Sequence, residues 1–174
     1  MHFFIGVLPL LKRYICLFQL KEPLIHKLFE EQRQLYKGFL SLFVKTEFIQ
    51  NKPIIELLGL KFKDNIILPT SQMYMGNNLF TSSKKSIDAH MEKLYDKEAL
   101  IACLNYLRKT LSLRSSLLKC LSAIDPSSRG HSLTLTRLKR LPRLIANDIK
   151  EDETVLYDLE VHKYQIDDSQ CPSK

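Results

Sequence analysis

Apolar residues recur every three or four positions over most of the chain, and this spacing predicts helices. Pro9 fits the first turn of a helix that should run to about Gln19. Pro23 opens the strongest pattern, a helix from Leu24 to about Lys45. Since only a few residues separate these two predicted helices, we expect the helices to pack as an antiparallel hairpin. The apolar positions of the second helix are Ile25, Leu28, Leu35, Phe39 and Leu42, widened by Phe29, Tyr36, Leu40 and Phe43.

Prolines and glycines interrupt the helical pattern in residues 48–80. We therefore expect a loop-rich segment there, packed on the helices through the apolar run 66–68. A long helix should follow the polar residues 81–86 and end near Leu111. The main apolar positions of that helix are Ile87, Met91, Leu94, Ile101, Leu104 and Leu111.

Residues 117–144 predict two short amphipathic helices joined by a tight corner. Ser115 or Ser116 should cap the first helix, because a serine hydroxyl can accept a hydrogen bond from an N–H of the first turn. The helix should stop before Pro126, which lacks a backbone donor and disfavours helical angles at the residue before it. The apolar positions of this helix are Leu117, Leu118, Leu121 and Ile124.

The second helix of the corner should be capped by Ser132 or Thr134. Pro142 falls within its pattern, and it should either kink the helix or begin a new one. The apolar positions of this helix are Leu135, Leu138, Leu141 and Ile145.

A final helix is expected to begin at the acids of residues 151–153, because negative charge is favourable at a helix N-terminus. Val155, Leu159, His162 and Ile166 share one face of this helix. A histidine on such an apolar face is more typical of a packed core residue than of a metal ligand. We expect the tail, residues 167–174, to be disordered.

These patterns predict an all-α fold, an irregular bundle of about five to seven helices with one long loop segment. Scarce glycine and abundant leucine favour helices over a sandwich or barrel. The chain has 174 residues, which is enough for one domain with a real core. We therefore expect a single helical domain over residues 1–166, with its loop-rich segment at 48–80.

Composition narrows the class of protein. Hydrophobic residues make up 45% of the chain and charged residues 26%, as in a folded globular protein rather than a disordered one. Four cysteines lie far apart, which favours reduced thiols in an intracellular compartment over a secreted disulfide scaffold. We expect Cys16, Cys103 and Cys120 to pack as small hydrophobes. Lys12 and Arg13 interrupt the apolar N-terminus too early for a membrane span, so we interpret it as a buried first segment.

The chain carries no recognisable catalytic or metal-binding motif. It has no GxSxG, no glycine-rich phosphate loop and no clustered histidines, so we expect neither a cofactor nor a metal. Asp125 and His131 flank the corner and could form an acid–base pair. A capped turn and a loop histidine explain them more simply. A competing hypothesis, from another class of protein, is a metal-dependent nuclease that uses Asp125, His131 and Asp158.

Basic residues cluster around the corner, and they are the most informative candidates for function. Between Arg108 and Asn147 the only acidic residue is Asp125, and the whole chain has a formal net charge of +7. Such a surface favours a polyanion, although a solvated basic helix face has the same pattern. Aromatic residues do not alternate with the basic ones. This argues against the binding of single-stranded nucleic acid by stacking of its bases. The residues that we predict to contact nucleic acid are Arg129, Arg137, Lys139, Arg140 and Arg143.

Four stretches resemble one known group of proteins. They are Glu22 to Leu28, Phe39 to Lys45, Leu118 to His131 and Tyr157 to Gln165. They are similar to segments of transposase-derived, hAT-like proteins, the ribonuclease H-like group whose members often carry BED zinc fingers or SCAN domains. The resemblance implies that this chain corresponds to the helical insertion of that group and its exit, without the ribonuclease H-like sheet.

The resemblance also implies what the chain should lack. The sheet supplies the metal-binding carboxylates of that group, and no stretch matching those strands or a zinc finger is present here. The implied function is therefore binding without catalysis, to nucleic acid through the basic face. The basic run from Arg137 to Arg143 could also serve nuclear import. Exposed apolar helix faces would instead contact a protein partner or a second copy. The chain could also retain metal-dependent nuclease or transposase activity, or be a genomic relic without selected function.

Overall fold

Seven α-helices make up most of the secondary structure of the described part of the chain. The computed structural model describes residues 2–19, 24–69, 72–73, 87–145 and 150–167. No strand occurs among these residues, and the predicted all-α fold of five to seven helices with one long loop segment is confirmed. The helices are α1 (His2–Phe18), α2 (Ile25–Ser41), α3 (Ile54–Leu58), α4 (Ile87–Thr110), α5 (Ser116–Leu121), α6 (Thr134–Ile145) and α7 (Glu151–Ile166).

The chain divides into two compact units. The first unit comprises Met1–Glu22 and Glu31–Leu111, and the second comprises Pro23–Glu30 and Ser112–Lys174. The expectation of a single domain over residues 1–166 stays a prediction. Apart from Asp167, the tail predicted to be disordered lies outside the described residues.

Helix α1 begins well before Pro9, so the prediction that this proline starts the helix is wrong. A proline inside a helix removes one backbone hydrogen bond and costs about 3 kcal/mol. The helix nevertheless continues through the apolar residues before Pro9, and Val7 there is only 4% exposed. Burial of Val7 offsets part of the cost. None of the described helices combines the length and apolar character that a bilayer crossing needs.

Two contacts place α1 against α2 in the first unit. Leu10 lies so close to Gly38 that a Cβ atom there would be 3.1 Å from Leu10 Cδ2. Further along α1, the Tyr14 hydroxyl accepts a hydrogen bond of 3.4 Å from Gln32 Nε2. The order of these partners is reversed between the two helices, so α1 and α2 run antiparallel where they touch.

The second half of α2 and the residues directly after it supply much of the buried apolar surface of the first unit. Tyr36, Phe39, Leu40 and Phe43 are each at most 1% exposed, in agreement with the predicted stripe. Ile25, at the start of that stripe, is exposed, so its assignment to the core was wrong. In α4, Leu104 is buried as predicted, and so is Leu100, which the predicted stripe omitted.

Arg108 on α4 contacts both α2 and the segment that follows α3 in the first unit. Its Nε donates to the Tyr36 hydroxyl at 2.6 Å, and one terminal nitrogen donates to the Leu60 carbonyl at 2.7 Å. Its guanidinium carbon lies 4.6 Å from the centre of the Phe62 ring, within the range of a cation–π contact. Burial raises the pKa of Tyr36 above its ordinary value, and the neighbouring Arg108 only partly opposes this. The Tyr36 hydroxyl therefore stays neutral and accepts from the arginine.

The loop-rich segment is fastened to the end of α2. Leu68 N–H donates to the Phe43 carbonyl at 2.8 Å, and Lys45 N–H donates to the Ile66 carbonyl at 3.0 Å. These bonds flank an isolated antiparallel bridge between Val44 and Ile67. Ile67 is buried, so the apolar run packs in the first unit as predicted, although its backbone partners are the residues that follow α2 rather than a helix.

The first helix of the corner has the predicted start and end signals. The Ser115 hydroxyl caps α5 by accepting from Leu118 N–H at 3.3 Å. Helix α5 continues as a short 3₁₀ helix, Ser122–Ile124, and a second 3₁₀ helix, Pro126–Ser128, follows. Asp125 between them has extended backbone angles, as expected for a residue before proline.

Asp125 caps the turn, as predicted. Its Oδ1 accepts from Ser127 N–H at 2.9 Å and from the Ser127 hydroxyl at 2.6 Å. Partial burial acts to raise the pKa of Asp125, but these two hydrogen bonds and the nearby charges of His26 and Lys27 outweigh it. The pKa of Asp125 therefore lies below its ordinary value, and the carboxylate is ionised over the neutral range.

Replacing Asp125 by Ala is expected to lower the free energy of unfolding by about 1 kcal/mol at pH 7, the usual effect of a lost cap. A depressed carboxylate pKa stabilises the fold above the ordinary value of about 4, and this stabilisation is lost as the pH falls through the lower folded value. The difference between wild type and Asp125→Ala should therefore shrink at acid pH. Urea unfolding followed by circular dichroism measures it, and Asp64→Ala, at a 96% exposed side chain, is the control. A difference that stays constant down to pH 2.5 would contradict the assigned cause.

Pro142 neither ends α6 nor begins a new helix, since α6 runs continuously past it to Ile145. A proline has no N–H for the carbonyl four residues earlier, which here belongs to Leu138. That carbonyl instead accepts from the Tyr157 hydroxyl of α7 at 2.7 Å. Burial, with the nearby Asp158 charge second, raises the pKa of Tyr157, which keeps this donor protonated. Pro142 thus leaves the Leu138 carbonyl without its helical donor, and the bond from Tyr157 to this carbonyl links α7 to α6.

Helix α7 begins at the predicted acids, and Lys150 N–H donates to Glu153 Oε2 at 3.2 Å. Its buried face, however, differs from the apolar face chosen from sequence. Val161 is buried and packs with partly buried tyrosines against Ala123 and Leu138. The residues predicted on the apolar face, all of them exposed, are Val155, Leu159, His162 and Ile166. The interpretation of His162 as a packed core histidine is therefore wrong.

The described cysteines differ in exposure. Cys120 is buried as expected, Cys103 is half-buried, and Cys16 is exposed, so the expectation for Cys16 was wrong. Burial raises the pKa of the Cys103 thiol. All three thiols are free, and Cys171 lies outside the described residues.

Candidate nucleic-acid interface

A cleft of about 460 Å³ lies along α5 and α6 in the second unit. We call it the basic cleft, because Lys119, Arg137, Arg140 and Arg143 line it. None of the residues described along its walls is acidic. A surface with several cations and no opposing carboxylate creates a positive potential that attracts a polyanion.

The amphipathic pattern of α6 explains how the arginines come together. Leu138 and Leu141 are buried on one side of the helix. Arg137, Arg140 and Arg143 follow one another at intervals of three residues, which keeps them near a common side. At a rise of 1.5 Å per residue, they extend over about 9 Å of the helix. Burial of the leucines therefore directs the arginines to the cleft.

The arginines of the cleft are available to a ligand to different degrees. Arg140 and Arg143 are exposed, and neither makes an ion pair within the described ranges. Arg137 is half-buried, and its Nη1 lies 3.4 Å from the Ser122 hydroxyl oxygen. An arginine has five N–H donors, so this one bond leaves most of them for another acceptor.

Lys119 belongs to the basic cleft but not to the contact residues predicted from sequence. It lies on α5, and it is exposed. No periodicity within α6 could reveal it, because its position beside the arginines depends on the path of the chain through the corner. The useful signal was the scarcity of acids around it, which marks the segment but not the individual residue.

Lys139, in contrast, does not line the basic cleft. Its Nζ pairs with Asp158 Oδ2 of α7 at 3.3 Å, and both side chains are about two-fifths exposed. Exposed pairs of this kind contribute at most about 1 kcal/mol to stability. We leave Lys139 out of the proposed contact surface, since an acid of the same unit already neutralises it.

Arg129 is buried rather than presented to solvent, with an exposure of 5%. Its guanidinium carbon lies 4.2 Å from the centre of the Tyr164 ring. It donates to the Asp167 carbonyl, and its Nη1 is 3.8 Å from Asp167 Oδ2. Tyr164 in turn donates to the Ile124 carbonyl at 2.6 Å. Arg129 therefore fastens the end of α7 to the corner, and we leave it out of the contact surface too.

The residues considered for a catalytic site do not form one group. Asp125 is engaged by Ser127, and Asp158 pairs with Lys139. His131 is exposed, and its Nδ1 accepts from Leu133 N–H at 3.1 Å. Among the residues that the structure describes, no three of His, Cys, Asp and Glu come together as a metal site would require.

Comparison with protein-family models, with curated proteins and with solved structures gave no match for this chain. The fold and the basic cleft define a helical protein with a cationic surface. The similarity to hAT-like proteins rests on the short sequence segments alone.

Proposed function

We propose that this chain is a non-catalytic helical protein of hAT-like transposon origin that binds nucleic acid through the basic cleft. One observation supports the proposal most directly: four cationic side chains from two helices line one cleft whose described walls carry no acid. The similarity of the sequence segments supports the transposon origin. The net charge of +7 has the sign that a polyanionic partner requires.

The expected ligand groups are backbone phosphates. A guanidinium can donate two parallel hydrogen bonds to a phosphate, and it stays charged at any physiological pH. Each phosphate that a lysine or arginine neutralises releases condensed counterions from the nucleic acid, which makes binding favourable at low salt. Four cations therefore set an upper limit of about four neutralised phosphates for the cleft.

Replacing Arg140 by Gln is expected to weaken binding to a 20-base-pair duplex roughly eightfold at 0.1 M salt. This figure is the loss of one phosphate contact, which contributes a slope of about 0.9 to the dependence of log K on log salt. Fluorescence anisotropy of the labelled duplex, at salt concentrations from 50 to 200 mM, measures both affinity and slope. Lys109→Gln is the matched control, since Lys109 is also exposed but lies on α4 of the first unit.

Three results would overturn the proposal. The first is equal weakening by Arg140→Gln and Lys109→Gln, which would mean that only net charge matters. The second is the absence of binding at 50 mM salt by protein whose circular dichroism is helical. In that case the exposed apolar residues of α7 would become the candidate surface, for a protein partner. The third is metal-dependent cleavage of the duplex, which would contradict the non-catalytic assignment.

A further inference from the structure

We infer that the basic cleft takes the phosphate backbone of a double helix, without sequence preference, rather than a single strand. This inference rests on the proposed function and specifies its substrate. Three features of the second unit support it: the absence of a stacking surface along the described walls, the density of positive charge, and the position of the cations inside a cleft.

The described walls of the basic cleft contain no aromatic side chain. Proteins that bind single strands stack bases on aromatic rings, and each stacked base contributes about 1–3 kcal/mol. The two tyrosines of α7 do not serve this purpose here. Tyr157 donates to the Leu138 carbonyl, and Tyr164 donates to the Ile124 carbonyl while its ring covers Arg129. Both are therefore committed to holding α7 in place.

A receptor that offers charge without stacking favours the polymer with the higher charge density. Double-stranded DNA carries one charge per roughly 1.7 Å of its axis, and its counterion-release slope is about −0.9 per contact against about −0.7 for a single strand. For four contacts the expected slopes are about −3.6 and −2.8. At 0.1 M salt this difference corresponds to about sixfold tighter binding of the duplex.

The position of the arginines in a cleft argues against base reading. A helix that reads base edges enters the major groove and presents its side chains on a projecting face. Arg137 and Arg140 instead line a concave surface that α5 also borders. A concave surface fits the convex ridge of a phosphate backbone, and phosphate contacts carry no direct sequence information.

The test compares three labelled probes on the full chain: a 20-base-pair duplex, one of its strands alone, and a duplex of the same composition in scrambled order. Anisotropy titrations at 50, 100 and 200 mM salt give affinity and slope for each. We expect the two duplexes to bind alike, with slopes near −3.6, and the single strand to bind about sixfold more weakly at 100 mM. Arg140→Gln should weaken both duplexes by the same factor.

Different outcomes separate this inference from the proposed function. A single strand that binds as tightly as the duplex overturns the inference but leaves nucleic-acid binding intact. A tenfold difference between the two duplexes overturns the backbone-only assignment in the same way. Failure of all three probes to bind helical protein at 50 mM salt overturns both.

Discussion

Replacing Arg108 by Met should lower the free energy of unfolding of the first unit by about 3 kcal/mol. Arg108 makes short hydrogen bonds to the Tyr36 hydroxyl and the Leu60 carbonyl, and hydrogen bonds to a charged group contribute about 1.5–3 kcal/mol each. Met retains the apolar stem of the side chain but cannot donate. Both acceptors would lose this donor, and Tyr36 is fully buried.

Hydrogen exchange measured by mass spectrometry can assign this loss to one unit. Peptides from residues 97–110 should exchange roughly 100-fold faster in Arg108→Met, since about 1.4 kcal/mol corresponds to a factor of ten. Peptides from α6 and α7 serve as the internal reference. Lys109→Met, at the exposed neighbouring position, is the matched control and should change exchange little.

A second variant keeps the test decisive if Arg108→Met fails to fold. Arg108→Lys preserves the charge but not the planar fork that reaches two acceptors at once. It should fall between wild type and Arg108→Met in exchange rate. Wild-type protection in both variants would show that the hydrogen bonds of Arg108 do not stabilise the first unit.

Helix positions, the cap of α5 and the turn at Asp125 were the most predictable features of this chain. The predicted cap of α6 was not, because Thr134 is the first residue of that helix and its hydroxyl donates to the Ser128 carbonyl. The helical period, the Ser115 cap and the turn at Asp125 follow from interactions within a few residues, so the local sequence contains what is needed to predict them. Positions of prolines inside helices were less predictable. Pro9 and Pro142 both lie within helices, because tertiary packing can offset the lost backbone bond.

The buried face of α7 shows why periodicity can choose the wrong side of a helix. Apolar residues lie on both sides, and the exposed side carries more aliphatic ones, including Val155 and Leu159. The buried side instead uses Tyr157 and Tyr164, whose hydroxyls reach carbonyls on other elements. Those acceptors lie 19 and 40 residues away in sequence, and one of them, the Leu138 carbonyl, has no helical N–H partner at Pro142.

The five residues predicted to contact nucleic acid have different surroundings in the structure, and the sequence does not reveal which residue has which. Three arginines share the basic cleft, whereas Lys139 faces an acid of α7 and Arg129 is buried. The partners of Arg129 lie far along the chain, and the Asp167 carbonyl is 38 residues away in sequence. A count of basic residues therefore marked the corner as basic but could not tell a structural arginine from an exposed one.

Arg129→Met is expected to destabilise the second unit by about 2 kcal/mol and to leave the affinity for duplex DNA unchanged. The stability loss combines a hydrogen bond from a charged donor with the contact to the Tyr164 ring, which contribute about 1.5–3 and 0.5–1 kcal/mol and are not additive. Arg140→Met should show the opposite behaviour. The Arg140 side chain makes no contact that stabilises the fold within the described residues, and it lines the cleft.

The two variants carry the same change in charge, so net charge cannot explain a difference between them. Hydrogen exchange of peptides from 150–167 measures the local stability, and duplex anisotropy at 100 mM salt measures binding. Arg129→Met should exchange roughly 30-fold faster with wild-type affinity, while Arg140→Met should show wild-type exchange and about eightfold weaker binding. If Arg129→Met kept its protection but lost DNA affinity, Arg129 would be a ligand-contacting residue. The contact between the Arg129 guanidinium and the Tyr164 ring would then have to break when nucleic acid binds.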